Sequence, residues 1–319
     1  MISYKKALEV LKKNKINIKS EIILSKNSVN RVCSHNIKSP NNYPAADNTA
    51  FDGFAINSKD TNKINQNNKK KFKILKTLAA GDNPKIKTVP KFSTVEVMTG
   101  AIIQDPFDTV IPIEQIKYYS NKANQKYIVV NKKITKNNYV RFEGSDYKKG
   151  DIVINKGQLI TASHILAFKT LGIEKVLVKK KPKIIFYTTG NEITNKNEIP
   201  DWKVRNSNSY YLKSFLKNFP ITFKEKKILR DNDLVKFKKE IKNNLNYKTD
   251  IVITSGAVSA GKFDFIPNVI KKFKLKNTFK GVAIRPGKPI MFAKFKKNMS
   301  FFGLPGNPLS SAACFRFFV

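Results

Sequence analysis

The 319-residue sequence predicts a multidomain α/β protein, in which a β-rich module precedes a domain built on a mostly parallel sheet. Two observations favour this fold class. Before about residue 180, short β-like runs are separated by polar turns. After it, three apolar runs are each followed by a loop of small residues and then by a helix-like pattern, which is typical of an open α/β sheet. We therefore expect a domain boundary near KKKPK, residues 179–183.

The elements of the first part follow from local patterns. Residues 4–11 carry apolar side chains at helical spacing, and Ser3 is a candidate N-cap. TASHILAFKTLG (161–172) predicts a second helix that ends at Gly172. Between these helices lie four β-like runs: FKIL (72–75), TVEVM (94–98), TVIPI (109–113) and YIVV (127–130).

The second part alternates strands with helices. The predicted strands are IIFYT (184–188), DIVIT (250–254) and MSFFG (299–303). The predicted helices lie in SYYLKSFLKNF (209–219), FDFIPNVIKKF (263–273) and LSSAACFRFFV (309–319). Because ligands of an open α/β sheet bind beyond the carboxyl ends of its strands, the loops after these strands are the candidate site.

Three loops follow the predicted strands: TTGNEIT (188–194), SGAVSAGKFD (255–264) and GLPGNPLS (303–310). Each places Gly beside a polar or charged residue. A single loop of this kind is explained equally well as a tight turn or as a ligand site, since Gly allows positive φ and close approach of backbone N–H groups. If the sheet is parallel, the three loops meet at one edge, which favours an anion or nucleotide site.

Acidic residues are scarce in this chain, with 23 Asp and Glu against 61 Lys and Arg. Five of them lie in loops beside Gly or at strand ends. A set of carboxylates around an anion site suggests Mg²⁺, which binds oxygen ligands and bridges carboxylates to phosphates. Taken singly, each is explained as well by capping a turn or a helix. The five are Asp52, Asp146, Glu192, Asp231 and Asp264.

Two cations lie in AIRPGKP, where flanking prolines stiffen the loop. Arg285 can hold an oxyanion through two parallel hydrogen bonds, whereas Lys288 acts as a point charge. Neither His35 nor His164 indicates a catalytic base, because a lone His in a helical pattern is more often a packing or surface residue.

The formal charge of +38 attracts anions by long-range steering. The lysines are scattered through every segment and interleaved with Asn, so we expect a solvated basic surface rather than a nucleic-acid site. Cys33 and Cys314 lie far apart, which supports neither a disulfide framework nor a zinc site. The first residues lack the apolar segment of a signal peptide, and no run is long enough to span a membrane. We expect a cytoplasmic protein.

Nine segments together resemble the molybdopterin molybdenumtransferases, the bacterial relatives of gephyrin. They occur in the order and nearly the spacing of that family, from about residue 3 to Val319. The segments are NTAFDGFA, EVMTGAIIQDPFDTVIPIEQ, EGSDYKKGDIVINKG, YTTGNEI, RNSNSYYL, LRDND, TSGAVSAGKFDF, AIRPGKPIMFA and FFGLPGNPLSSA.

This resemblance implies a fold and a reaction. The implied fold is a homodimer with an N-terminal linking domain over 1–180, a β-rich module inserted at about 46–140, and a three-layer α/β molybdopterin-binding domain over 181–319. We expect this chain to lack the C-terminal β-barrel that the family carries. The implied reaction inserts molybdenum from molybdate into adenylylated molybdopterin and releases AMP, with Mg²⁺ as cofactor and a molybdopterin adenylyltransferase as the upstream partner.

The resemblance also implies roles for single residues. Asp52 and Thr99 face the site of the partner subunit, Asp146 affects activity, and three acids bind Mg²⁺ and phosphate: Glu192, Asp231 and Asp264. The residues implied in binding the pterin, nucleotide and molybdate are Thr189, Gly190, Asn208, Ser255, Gly256, Ser259, Gly261, Arg285, Lys288, Pro305, Gly306, Asn307 and Pro308.

The sequence departs from the family at two points. Arg285 occupies a position that is often Lys, which keeps the charge. The missing barrel leaves a second hypothesis open, a non-catalytic homologue that binds molybdopterin or acts as a scaffold. A nucleic-acid binder, suggested by charge alone, is the third. The family and a Phe-rich tail at 315–319, expected to be exposed, favour a homodimer.

Overall fold

The computed structural model describes residues 1–118, 126–258 and 264–319. The α-helices are α1 (Tyr4–Lys13), α2 (Ala162–Thr170), α3 (Ser207–Leu216), α4 (Leu234–Asn246), α5 (Ile266–Ile270) and α6 (Pro308–Phe318). The strands are β1 (Ser20–Leu24), β2 (Ile37–Lys38), β3 (Asn48–Thr49), β4 (Gly53–Ile56), β5 (Lys70–Leu78), β6 (Ser93–Val97), β7 (Thr109–Pro112), β8 (Lys117–Tyr118), β9 (Tyr127–Val130), β10 (Val140–Arg141), β11 (Ile152–Ile154), β12 (Lys175–Lys179), β13 (Lys183–Thr188), β14 (Ile193–Thr194), β15 (Val204–Arg205), β16 (Thr222–Glu225), β17 (Ile251–Ser255), β18 (Leu275–Lys280), β19 (Met291–Phe295) and β20 (Ser300–Leu304).

The chain forms two compact units. The α/β unit comprises Met1–Ile22, Asn30–Ser34 and Leu177–Val319, and the β-rich unit comprises Ile23–Val29 and His35–Val176. Helix α1 therefore belongs to the α/β unit, although sequence order groups it with the N-terminal domain. The physical reason is that Ala7 of α1 is fully buried in a core that also contains Val282.

A six-stranded sheet forms the centre of the α/β unit, in the order β16-β13-β17-β20-β19-β18. The first four strands are parallel, and β19 and β18 run antiparallel to their neighbours. The predicted mostly parallel sheet is thus confirmed. Its register aligns Thr188 with Ser255 and Ser255 with Leu304, so that three strands end level with one another.

Helices cover both faces of this sheet. On one face, Phe186 and Phe302 lie in a core with Leu212 of α3 and Phe315 of α6. On the other face, the core contains Phe237 of α4 together with residues of α5. Strands buried on both faces need apolar residues at nearly every position, which explains their continuous rather than alternating runs. The result is the expected three-layer α/β arrangement.

The β-rich unit contains a second six-stranded sheet, in the order β7-β4-β6-β5-β9-β8. Its β5–β6 pair is parallel and its other pairs are antiparallel. Phe54 and Ala55 point to opposite faces of β4, where they enter separate hydrophobic cores. The four β-like runs found in the sequence are all strands here, within residues 53–130.

Local signals set several helix ends. Ser3 caps α1, since its Oγ accepts a hydrogen bond from Lys6 N at 3.2 Å. His164 completes the N-terminal cap of α2, because its Nδ1 accepts from Thr161 N at 3.0 Å. Gly172 follows α2 with a φ of +73°, as expected for a helix stop. His164 is therefore a structural residue and not a candidate base.

Three expectations about helices were wrong or incomplete. The helix expected across FDFIPNVIKKF is restricted to Ile266–Ile270, because the chain turns at residues 271–274 to enter β18. The Phe-rich tail is only partly exposed: Phe315 and Phe318 are buried in α6, and Phe317 is exposed. Helix α4 escaped the sequence analysis, although Phe237 and Ile241 mark its buried face.

Helices long and apolar enough to cross a membrane are not found anywhere in the described ranges.

Candidate functional site

A cavity of about 450 Å³ lies at the carboxyl ends of β13, β17 and β20. All of its lining residues belong to the α/β unit. They come from the three loops that the sequence singled out, from the segment before α4, and from the connection between β18 and β19. The lining residues are Thr189, Gly190, Glu192, Asp231, Gly256, Ala257, Val258, Asp264, Pro289, Pro305, Gly306, Asn307 and Ser310.

Three carboxylates line this cavity together. Glu192 follows β13, Asp231 precedes α4, and Asp264 precedes α5. They lie far apart in sequence, and the parallel sheet brings them to one edge because the carboxyl ends of its strands are level. The cavity therefore combines acidic side chains with loops that are nearly free of bulk.

Backbone hydrogen bonds tie the loops at the floor of the cavity to one another. Thr189 N donates to Ser255 O at 3.0 Å, and Gly256 N donates to Leu304 O at 3.0 Å. Gly190 N donates to Leu229 O at 3.0 Å. The sequence analysis expected such amides to face a ligand. These three N–H groups instead donate to carbonyls of neighbouring segments of the protein. They make a fixed floor rather than a set of donors for the ligand.

Asn208 connects two of the loops from below. Its Nδ2 donates to Ser255 Oγ at 2.5 Å and to Gly306 O at 2.9 Å. Ser255 and Asn208 are both buried, and neither lines the cavity. The contacts that the structure shows for these two predicted ligand-binding residues hold the loop after β20 in place.

We expect Asn208→Asp to destabilise the α/β unit by about 1–3 kcal/mol, because a carboxylate cannot donate to Gly306 O and leaves a buried charge near that carbonyl. Urea unfolding would measure this change. Asn268→Asp, at an exposed position on α5, is the matched control and should change stability little. Equal stability of the two variants would contradict the structural role of Asn208.

The amino end of α6 closes one side of the cavity through Asn307 and Ser310. Asn307 is the N-cap, since its Oδ1 accepts from Ser310 N at 3.2 Å. Pro308 occupies the first helical turn, where its missing N–H costs nothing. The partial positive charge of an 11-residue helix favours an anion at this end.

Two predicted residues of the β-rich unit contact each other directly. Asp52 Oδ1 accepts hydrogen bonds from Thr99 N at 2.6 Å and from Thr99 Oγ1 at 2.8 Å. These bonds, the backbone bond first, lower the pKa of Asp52, because they stabilise its ionised form. Asp52 is therefore a carboxylate at neutral pH, held by a residue 47 positions further along the chain.

Thr99→Val is expected to raise the pKa of Asp52 part of the way to its ordinary value, since the backbone donor remains. A group with a lowered pKa stabilises the fold above its unfolded pKa, and this contribution is lost as the pH falls through its folded pKa. The acid-side loss of stability should thus be smaller in the variant. An NMR titration of the Asp52 carboxyl carbon would show this, and an unchanged pKa would contradict it.

Asp146 forms an ion pair with Arg141 in the same unit. The Arg141 guanidinium also lies 5.6 Å from the ring centroid of Tyr43. The ion pair is exposed, so its contribution to stability is small. The structure thus gives Asp146 a local partner within the β-rich unit.

Comparisons with known proteins place this geometry in a family. The chain is 31% identical over 319 residues to a molybdopterin molybdenumtransferase of Staphylococcus epidermidis. The alignment covers 100% of this chain and 74% of that relative. A relative of the same name from Staphylococcus aureus gives the same values. This chain belongs to the molybdopterin molybdenumtransferase family.

Family models and solved structures agree with this membership. Residues 2–172 match the model described as MoeA N-terminal region (domain I and II), and residues 185–319 match a probable molybdopterin binding domain. A molybdopterin biosynthesis MoeA protein from Pyrococcus horikoshii has a TM-score of 0.87 at 28% identity, over 100% of this chain and 78% of that one. A second structure from that organism has a TM-score of 0.80 at 27% identity, over 100% and 77%.

Several ligand-binding residues expected for a molybdenumtransferase do not line the cavity. Arg285 and Lys288 are exposed on the connection between β18 and β19, which contributes Pro289 instead. Pro308 lies in the first turn of α6 and is likewise not a lining residue. Ser259 and Gly261 lie outside the described residues.

The donor set of this cavity bears on the expected Mg²⁺. Over residues 1–118, 126–258 and 264–319, no group of three or more His, Cys, Asp or Glu side chains is arranged to hold a metal ion. Mg²⁺, however, is commonly bound by one or two carboxylates together with substrate phosphates and water. Oxygen donors from Glu192, Asp231 and Asp264 fit that mode of binding, and a closed protein cage is not what the cavity offers.

The sequence analysis missed two features of this family member. Arg230 contacts the loop that carries Glu192, and only the fold brings these two segments together. A larger cavity, of about 690 Å³, lies at the opposite, amino ends of β13, β17 and β20. Its described lining includes six lysines and a single acid, Asp250, so the larger cavity lacks the group of carboxylates found in the cavity at the carboxyl ends. The lysines are Lys19, Lys180, Lys181, Lys183, Lys248 and Lys297.

Proposed function

We propose that this chain inserts molybdenum from molybdate into adenylylated molybdopterin and releases AMP. Membership of the family places the chain in molybdenum cofactor biosynthesis. The observation that carries the finer proposal is the cavity at the carboxyl edge of the sheet, where Glu192, Asp231 and Asp264 meet the loops with small residues. That combination suits a ligand with phosphate groups and a divalent cation.

The shape of the cavity supports binding of the phosphate groups. A Cβ at Gly306 would meet only Gly256 Cα, at 3.6 Å, so the absence of a side chain there leaves room for a ligand to approach the backbone closely. The amino end of α6, capped by Asn307, supplies a partial positive charge from that side. These groups would bind and orient an anionic ligand, and none of the described lining residues carries a cationic side chain.

The three carboxylates have a second part in the proposal. Carboxylates beside phosphates repel them, so an anionic ligand binds here only with a cation between the two. Mg²⁺, when bound, would neutralise the phosphate charge that develops as the link to AMP is cleaved. One or two of the carboxylates of Glu192, Asp231 and Asp264 would hold it, together with oxygens of the ligand.

The protein's contribution to the chemistry is positioning and charge. Cleaving a phosphoanhydride-like link requires an oxyanion nucleophile in line with the leaving phosphate, and molybdate supplies its own oxygen. The cavity lining contains neither Cys nor His, so the proposal requires no such nucleophile or base from the protein. The fixed floor of the cavity excludes water from one side of the bound phosphate.

The test is AMP release by the purified chain, given adenylylated molybdopterin and Mg²⁺, with and without molybdate. Release that depends on molybdate is expected. No release while the ligand stays bound would overturn the catalytic proposal and favour a non-catalytic molybdopterin-binding homologue. A chain that neither releases AMP nor binds the ligand would contradict both the catalytic proposal and the non-catalytic alternative.

A homodimer in which Asp52 and Thr99 complete the site of the partner subunit is part of the proposal. If so, the single variants Asp52→Asn and Glu192→Gln are both inactive as homodimers, because each lacks one half of every site. Mixed dimers of the two retain one intact site and recover up to about half of the activity. Absence of recovery in mixtures shown to exchange subunits would contradict the shared site.

A further inference from the structure

Arg230 binds the backbone of the loop that carries Glu192. Its Nη1 lies 3.0 Å from Gly190 O, 3.2 Å from Asn191 O and 3.0 Å from Ile193 O. Hydrogen bonds from a charged donor are roughly twice as strong as those between neutral groups. One guanidinium nitrogen, which carries two N–H groups, therefore holds three carbonyl oxygens of a single loop, with at least one hydrogen shared between two of them.

These three carbonyls surround Glu192 in the chain. The carbonyl of Glu192 itself accepts from Val204 N at 2.9 Å, so every carbonyl over 190–193 has a donor. Lys203 Nζ also donates to Asn191 O at 2.8 Å, but it contacts only that carbonyl. Arg230 is the side chain that links the residues before Glu192 to the residue after it.

Backbone hydrogen bonds of the two residues beside Arg230 fix the second carboxylate, that of Asp231. Asp231 follows Arg230 directly, and its N donates to Asn191 Oδ1 at 3.3 Å. Leu229, on the other side, donates its N to Thr188 O at 2.9 Å. The segments 188–193 and 229–231 are thereby joined at three points around Arg230, and each of them contributes one acid to the cavity.

Arg230 is itself held in place by the start of α4. Its N donates to Asp233 Oδ2 at 2.9 Å, and Asp233 N donates back to Arg230 O at 2.9 Å. The backbone N–H of Arg230 lowers the pKa of Asp233, which keeps this carboxylate ionised. Lys236 adds an ion pair to Asp233 at 3.2 Å. A fixed backbone at residue 230 directs the guanidinium at the loop.

The guanidinium also changes the electrostatics beside the cavity. Unpaired carbonyl oxygens of the loop would present the negative ends of their dipoles near a bound phosphate. Hydrogen bonds from a cation cover those oxygens and add a positive charge at the same place. Loss of the cation should therefore affect both the geometry of the loop and the binding of an anion.

We propose that Arg230 is a positioning residue, which sets Glu192 and Asp231 at the cavity through its three hydrogen bonds to the carbonyls of 190, 191 and 193. The expected effect of Arg230 on turnover rests on the proposed function. The structural content of the inference, the holding of the loop by Arg230, does not depend on that function.

The first arm of the test measures hydrogen exchange of backbone amides over 188–194 in the full chain. Exchange in Arg230→Ala should be about tenfold faster than in the wild type, since the loop loses its charged donor. Arg230→Lys keeps a charge and should give an intermediate rate. Arg205→Ala is the matched control. Arg205 lies on the same connection between β13 and α3, and its Nη2 donates to one carbonyl, Asn197 O, at 2.9 Å.

The second arm measures AMP release with adenylylated molybdopterin, molybdate and Mg²⁺. Arg230→Ala should lower kcat about tenfold or more with a smaller change in KM, and Arg230→Lys should recover part of kcat. If Arg230→Ala does not fold, Arg230→Lys carries both arms.

The outcomes separate the two proposals. Exchange over 188–194 that is unchanged in Arg230→Ala, or equally faster in Arg205→Ala, overturns the positioning role. Turnover equal to that of the wild type in Arg230→Ala overturns its consequence for the reaction. A wild-type chain that releases no AMP overturns the proposed function, while the exchange arm still decides whether Arg230 holds the loop.

Discussion

Replacing Glu192 with glutamine, or Asp264 with asparagine, is expected to lower molybdate-dependent AMP release by about a hundredfold or more. Both side chains line the cavity, and both would help to hold the cation that neutralises the phosphate. An amide has the same shape but no charge, so the metal-bound state weakens. Neither residue is buried, and the fold should therefore keep its stability.

The matched control for Glu192→Gln is Glu198→Gln. Glu198 lies six residues after Glu192 on the same connection between β13 and α3. It is exposed and is not a lining residue of the cavity. Its replacement removes the same charge from the same chain and should leave turnover near that of the wild type. Similar turnover in both variants, with unchanged thermal unfolding, would mean that the carboxylate of Glu192 does not take part in the reaction.

Gly256→Ala is expected to destabilise the α/β unit by about 3 kcal/mol and to abolish ligand binding. Gly256 has a φ of +97°, a conformation that costs other residues about 1–2 kcal/mol. A Cβ at this position would also lie 2.7 Å from Thr189 Oγ1 and 2.8 Å from Thr189 O. Because Thr189 O is backbone, relief requires the two strand ends to separate, which adds about 1–3 kcal/mol.

Gly281→Ala separates the two causes of that loss. Gly281 lies in the same unit with a φ of +77°, and its nearest Cβ contacts are at ordinary distances, beginning with Lys288 O at 3.6 Å. This control carries the conformational cost without the collision, so about 1–2 kcal/mol is expected. Calorimetry of both variants, and ligand titration of Gly256→Ala, would measure the difference. Equal destabilisation by Gly256→Ala and Gly281→Ala would show that the close contact with Thr189 does not contribute to the loss of stability.

Much of the fold was predictable because its signals are local. Apolar runs such as IIFYT and DIVIT identify β13 and β17, and Ser3 and Gly172 mark helix ends through their own chemistry. The carboxyl-edge rule for open α/β sheets then indicated the loops after β13, β17 and β20. The structure brings Glu192, Asp231 and Asp264 together at that edge.

Other features depend on contacts between distant segments, which local patterns do not encode. Asn208 and Ser255 matched the family's ligand-binding residues, but their contacts in the structure are with each other and with the loop after β20. The sequence does not distinguish Arg230 from the other Lys and Arg residues, of which the chain has 61 in all. Its role becomes visible only through its three carbonyl partners in the structure.

The sequence by itself determined the family, the strands β13, β17 and β20 that end at the cavity, and the three acidic residues of its lining, because each depends on residue type and spacing along the chain. Only the tertiary structure decided which groups lie together. It tied the amides of the small-residue loops to one another, left Arg285 and Lys288 out of the described cavity lining, and joined α1 to the α/β unit. The physical reason is that hydrogen-bond partners and burial are properties of segments far apart in the chain, and they become defined only when the sheet aligns its strand ends.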